Sequence, residues 1–137
     1  MSSSDKQVHL EMIQNVINRL SQNSFLLKGW SIVLVSALLA LTAKDSNAFF
    51  IYISYFPAIS FWGLDGYFLH QERMFRKLYD HVRKLEETTI SFSMDTSIIK
   101  DQVASWLSVT FSKTIIVFHG SIFITILLIV LFFTINV

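Results

Sequence analysis

Thr114-Ile-Ile-Val-Phe-His-Gly-Ser-Ile-Phe-Ile-Thr-Ile-Leu-Leu-Ile-Val-Leu-Phe-Phe-Thr-Ile-Asn-Val137 contains no Lys, Arg, Asp or Glu. As an α-helix rising 1.5 Å per residue it covers about 36 Å, more than the roughly 30 Å of a bilayer's hydrocarbon core. Two further apolar stretches, residues 25–43 and 48–69, read the same way. A mean hydropathy of +0.52 agrees, because a soluble chain of only 137 residues needs more charge to cover its surface. The fold expected is an all-α membrane protein, a single domain with three transmembrane helices at 25–43, 48–69 and 114–137, and the lipid bilayer is its first partner.

Lys and Arg orient it. Lys6, Arg19 and Lys28 precede or open the first span, and Arg73, Arg76, Lys77, Arg83, Lys84, Lys100 and Lys113 lie between the second and third. The short connection between the first two spans carries only Lys44, offset by Asp45. The positive-inside bias places the N-terminus and the long middle segment in the cytoplasm, with the C-terminal end outside. The polar start at Met1 is not read as a cleavable signal, so the first span is expected to direct its own insertion. Trp30, Trp62 and Trp106 fall near the cytoplasmic interface, where indole rings favour the amphipathic layer.

The helices are expected to continue beyond the lipid. Met12, Ile13, Val16, Ile17, Leu20, Ser24 and Leu27 recur at three- and four-residue steps, which predicts an amphipathic cytoplasmic helix over 5–24. Met74, Phe75, Leu78, Tyr79, Val82 and Leu85 repeat the device over 70–87, with Glu72–Arg76 and Asp80–Lys84 as surface pairs. Since both flank one transmembrane hairpin, their stripes meet and form a long cytoplasmic helical-hairpin extension. Residues 86–97 break the pattern, with Ile90, Phe92 and Met94 alternating as in an extended piece. Asp95 or Thr96 could then cap an interfacial helix over 97–111.

Few residues could carry chemistry. A charge deep in lipid costs about 2.5–3.5 kcal/mol on insertion scales, so Lys28, Asp65 and His119 each need a reason. Lys28 and Asp65 are separated from the outer turn by nearly equal numbers of residues and can pair across the hairpin, either as a registry-setting ion pair or as an intramembrane gate. His119 suits a helix–helix hydrogen bond or a proton relay. Arg73, Arg76, Asp80 and Arg83 are read as the partner-docking face of the stalk. Small residues Gly29, Ser36, Ala40 and Ala43 on the first span, and Ser54 and Ala58 on the second, permit close helix approach.

Several classes are set aside. The chain has no Cys, which excludes disulfides and thiolate metal sites, and a formal net charge of +1 gives no basic field for nucleic acid. His70-Gln71-Glu72 has the form of a deaminase motif without the cysteines that must follow. His70 and His81 lie three turns apart, too far to share a metal ion. With no phosphate loop, nucleophile elbow or zinc-helix motif, neither an enzymatic role nor a cofactor is expected.

Asn15-Val-Ile-Asn-Arg-Leu-Ser-Gln-Asn-Ser-Phe-Leu-Leu-Lys-Gly-Trp30, Phe61-Trp-Gly-Leu-Asp-Gly-Tyr-Phe-Leu-His-Gln-Glu-Arg-Met-Phe-Arg-Lys-Leu-Tyr-Asp-His-Val-Arg83 and Phe92-Ser-Met-Asp95 resemble a widespread family of small bacterial membrane proteins to which no activity is attached. In layout alone the chain is also similar to small membrane effectors of anti-phage defence systems, in which a partner protein supplies the sensing. That likeness implies no site residue. Two functions stay open. One is a homo-oligomeric, pore-forming or membrane-depolarising effector controlled through its cytoplasmic helices; the other is a non-conducting scaffold that recruits a soluble cytoplasmic partner.

Overall fold

The computed structural model describes residues 4–136; Met1–Ser3, and Val137, where the third span is expected to end, lie outside them. The described residues are all-helical, with no strand among them. Helix α1 runs from Asp5–Asp45 and α2 from Phe49–Arg83, about 60 Å and 50 Å of helix respectively. The Ser4 hydroxyl starts α1 by accepting from the Gln7 N–H at 3.2 Å, which satisfies one of the donors a helix N-terminus leaves unpaired. At the other end Ser46 adopts a left-handed φ of 51° and stops the helix. Asn47 then turns the chain, its Oδ1 accepting from the Phe49 N–H at 3.0 Å.

So short a connection makes α1 and α2 antiparallel neighbours, and they bury two separate cores. Near the free ends Ile13 and Ile17 of α1 pack with Met74, Leu78 and Val82 of α2. Near the connecting turn Val35 of α1 packs with Ile51 and Ala58 of α2, and the last helix, α4 (Lys113–Asn136), adds Ile126. Ser31, Thr42 and Ser54 are fully buried in that part of the molecule. The hairpin closes on these residues rather than on Gly29, Ser36, Ala40 and Ala43, which face outward.

Between α2 and α4 the chain departs from the expected 97–111 helix. A single 3₁₀ turn at Glu87–Thr89 precedes an extended strap, a second 3₁₀ segment covers Ser97–Gln102, and only Trp106–Thr110 forms an α-helical turn, α3. Val103 is extended. The reason for the break is local, because Ser105 takes an extended conformation and its hydroxyl accepts from the Ser108 N–H at 3.3 Å, starting a new helix. Helix α2 likewise ends at Arg83, four residues before the expected 87, so Leu85 joins the stalk core from outside the helix.

The strap is fastened to α1. Lys6 Nζ donates to the Leu85 carbonyl at 2.8 Å, the Lys6 amide to Glu87 Oε1 at 3.1 Å, and His9 Nε2 to the Ser93 carbonyl at 2.8 Å. Ile90, Met94 and Ile99 complete the stalk core from this side. The extended reading of 90–94 therefore holds in part. Ile90 and Met94 turn inward, while Phe92, at φ 56°, lies over the His9 ring at 5.7 Å.

Two helices, α1 and α4, are long and apolar enough to cross a membrane. The expected second span within α2 is not one of them, because Tyr52, Tyr55, Pro57, Trp62 and Asp65 dilute its apolar run. Only 22% of the apolar window of α1 and 17% of that of α4 is buried inside the protein. Phe25, Phe56 and Ile135 are each more than three-quarters exposed.

Candidate functional site

The two apolar cores are separated by a polar layer, and its centre is Asp65. Asp65 sits on the α1-facing side of α2, one helical repeat beyond Ala58 of the inner core, and is fully buried. Lys28 and Ser24 reach it from α1, one turn apart on the same face, and His119 reaches it from α4. Lys28 Nζ lies 2.6 Å from Asp65 Oδ2, and His119 Nε2 donates to the same oxygen at 2.8 Å. The Ser24 hydroxyl donates to Oδ1 and in turn accepts from Lys28 Nζ at 2.9 Å. The three residues singled out from sequence thus form one cluster that ties together α1, α2 and α4.

The chemistry of the cluster follows from its donors and acceptors. A carboxylate offers only acceptors, so the ring nitrogen of His119 that faces Asp65 carries the proton. Its other nitrogen, Nδ1, is buried without a hydrogen-bond partner. Trp62 stacks on the His119 ring with centroids 6.1 Å apart and planes 14° from parallel, and Phe118 meets the same ring edge-on at 5.0 Å. Lys28 Nζ lies 5.8 Å from the Phe118 ring centroid, within range of a cation–π contact. The pair is held by geometry, because removing Lys28 leaves the fully buried Asp65 carboxylate without its counter-charge.

Helix α3 locks onto α2 just beside this layer through two reciprocal indole bonds. Trp62 Nε1 donates to the Thr110 carbonyl at 2.9 Å, and Trp106 Nε1 donates to the Gly63 carbonyl at 3.1 Å. Gly66 makes the approach possible, since a Cβ there would stand 3.0 Å from the Thr110 Cα and collide with its side chain. Trp62 and Trp106 therefore clamp α3 to α2. Trp30 is 60% exposed and takes no part.

The stalk residues are arranged differently. Arg76 Nη2 pairs with Glu72 Oε1 at 3.2 Å, as the i,i+4 spacing predicts. Asp80 pairs with Arg83 at 3.4 Å, an i,i+3 step, and not with Lys84, the residue that caps α2. Arg73, Arg76, Lys77 and Asp80 line one wall of a shallow groove of about 310 Å³ whose other wall is Gln102–Ala104. Arg83 stands apart from it.

Ser24, Trp62 and Thr110 belong to the polar layer and its clamp, and none of the three is marked as a site residue by the sequence. The signal for Ser24 was present, as a hydroxyl four residues before Lys28 on the stripe that faces α2. Nothing in the linear order places Thr110 against Gly66. Compared with protein-family models, curated proteins and solved structures, the chain matches none of them.

Proposed function

We propose that this chain is a bacterial inner-membrane protein with three spans and a cytoplasmic N-terminus, and that it self-assembles and depolarises the membrane when a soluble cytoplasmic partner engages its stalk. The membrane reading is supported by the apolar faces of α1 and α4, which are too exposed to serve as core helices of a soluble domain. Helix α2 crosses with them because it is packed antiparallel on α1 and joined to α4 through Asp65 and His119.

The observation that carries the effector reading is the continuity of α1 and α2 through the polar layer. Each runs unbroken from the stalk core to the core shared with α4. A partner that rotates or slides the stalk therefore moves the spans, and interfaces of packed helices switch between discrete arrangements instead of deforming smoothly. The Lys28–Asp65–His119 cluster is the point most sensitive to such a shift. Three spans enclose no aqueous path, so conduction requires an oligomer. The layout shared with small anti-phage membrane effectors makes phage challenge the natural setting for the assay.

The test is the membrane potential of cells expressing the chain alone and together with the genes that flank it. Depolarisation is expected only with the partner, and reversal of Arg73, Arg76 and Arg83 to Glu should abolish it while leaving insertion intact. A monomer in native membranes with an unchanged potential removes the pore. One observation favours the second reading, a non-conducting scaffold: Asp65 is fully buried and its carboxylate is occupied by Lys28, Ser24 and His119 instead of facing an open path. A scaffold retains the partner at the membrane with no change in potential.

A further inference from the structure

We propose that the groove between α1 and α4 seats one anionic phospholipid of the cytoplasmic leaflet; the inference rests on the membrane reading above. The Lys28–Asp65–His119 and Val35–Ile51–Ile126 groupings show that α1 and α4 run parallel, each packed on α2. Between them lies an open groove of about 490 Å³ with Ile32, Val35 and Leu39 on one wall and Phe118 and Ile122 on the other. Along α4 it extends from Thr114 to Thr125, about 16 Å at 1.5 Å per residue, which matches one leaflet of a hydrocarbon core roughly 30 Å thick. An apolar slot left empty forfeits the dispersion contacts of its walls, and in a bilayer the available filler is an acyl chain.

Charge fixes the polarity of the occupant. Lys28, 24% exposed along its side chain, stands over Phe118 at the Thr114 end, and its hydrogen bonds to Asp65 and Ser24 leave one ammonium N–H unused. Lys113 is exposed and adjoins Thr114. The Thr125 end is lined by no cation. A phosphate therefore belongs at the Thr114 end, with the tail running toward Leu39 and Thr125.

The test uses the full chain in nanodiscs of equimolar phosphatidylcholine and phosphatidylglycerol, with retained lipid read by native mass spectrometry. One phosphatidylglycerol per chain is expected to survive release. Lys113→Gln should lower the preference for phosphatidylglycerol about fivefold, the fold-change equivalent to about 1 kcal/mol for one basic residue at an anionic surface. Ser36→Phe, at an exposed position on the groove wall, should lower retention about tenfold; Val117→Trp fills the groove from the α4 side if the first variant does not fold. Equal retention of both lipids, or unchanged retention in a filled groove with unaltered helical circular dichroism, overturns the proposal. So does an intermolecular disulfide at Ser36→Cys with no lipid retained, which gives the groove to a second copy. A chain that alkaline carbonate washes from membranes defeats the membrane reading itself, whereas one that stays embedded without lipid preference defeats only the lipid site.

Discussion

Lys28 Nζ stands 2.6 Å from Asp65 Oδ2 across the α1–α2 interface, at the level where the stalk core ends and the core shared with α4 begins. Because His119 and Ser24 bind the same carboxylate, the relationship sets the register of three helices at once.

Breaking this pair from one side should cost more than removing it. Asp65→Ala leaves the Lys28 ammonium without its counter-charge and is expected to destabilise by about 3–5 kcal/mol. Asp65→Ala combined with Lys28→Ala should cost less than Asp65→Ala alone. A double-mutant cycle on thermal unfolding in detergent reads this directly, and additive losses would show that the two side chains do not interact.

The stalk should crosslink within one chain. Ile17 and Leu78 are both buried in the same cluster on facing helices, so a Cys at each position is expected to form an intramolecular disulfide under mild oxidation. A mobility shift on non-reducing gels checks it. A Cys pair at Asn18 and Lys77, both exposed, serves as the unreactive control.

Two glycines should respond in opposite ways. Gly66→Ala drives a methyl group into Thr110 and forces α3 from α2, with an expected loss of about 1–3 kcal/mol from overpacking. Gly29→Ala meets no atom within 4 Å and should be neutral or stabilising by about 0.5–1 kcal/mol, the usual gain over glycine inside a helix. Melting temperatures of the two variants decide it, and equal effects would mean that α3 does not dock on Gly66.

Asp95 gives the strap a pH dependence. The Ser97 amide donates to its Oδ1 at 2.9 Å and the Ser97 hydroxyl to its Oδ2 at 2.9 Å, and these bonds hold the carboxyl below its ordinary value of 3.8. The folded form thus prefers the carboxylate. Its contribution is complete above that ordinary value and fades as the pH falls through the depressed one. Amide hydrogen exchange around 95–99, corrected for intrinsic pH effects, should accelerate on acidification in the wild type, and Asp95→Asn should remove the dependence.

Much of this was legible in the linear order. The all-helical class, the two long helices, the turn near Asp45 and Ser46, and the contact of the two stalk stripes through Met74, Leu78 and Val82 follow from periodicity and from one short connection, which leaves consecutive helices little choice but to lie antiparallel; on α1 the contact falls on Ile13 and Ile17 and not on Met12, Val16 and Leu20, because the α1 stripe is wide enough to offer either edge. The Lys28–Asp65 pair was readable for the same reason, since both positions are counted from the same turn. The break at Val103 to Ser105 was hidden, because apolar residues at Ile98, Ile99, Val103, Trp106, Leu107 and Phe111 fit a helix as well as two short pieces.

By itself the sequence determined the long helices and the pairing of neighbours in the chain, both of which depend on short-range spacing. Only the tertiary structure decided which partners meet across long separations: His119 with Asp65, Ser24 with the same carboxylate, Thr110 with Gly66, and each of Trp62 and Trp106 with the other's segment. Such contacts depend on how α4 and α3 are rotated and seated against α2. That rotation is set by side-chain volume and hydrogen-bond geometry summed over the whole interface, a quantity that no local repeat encodes.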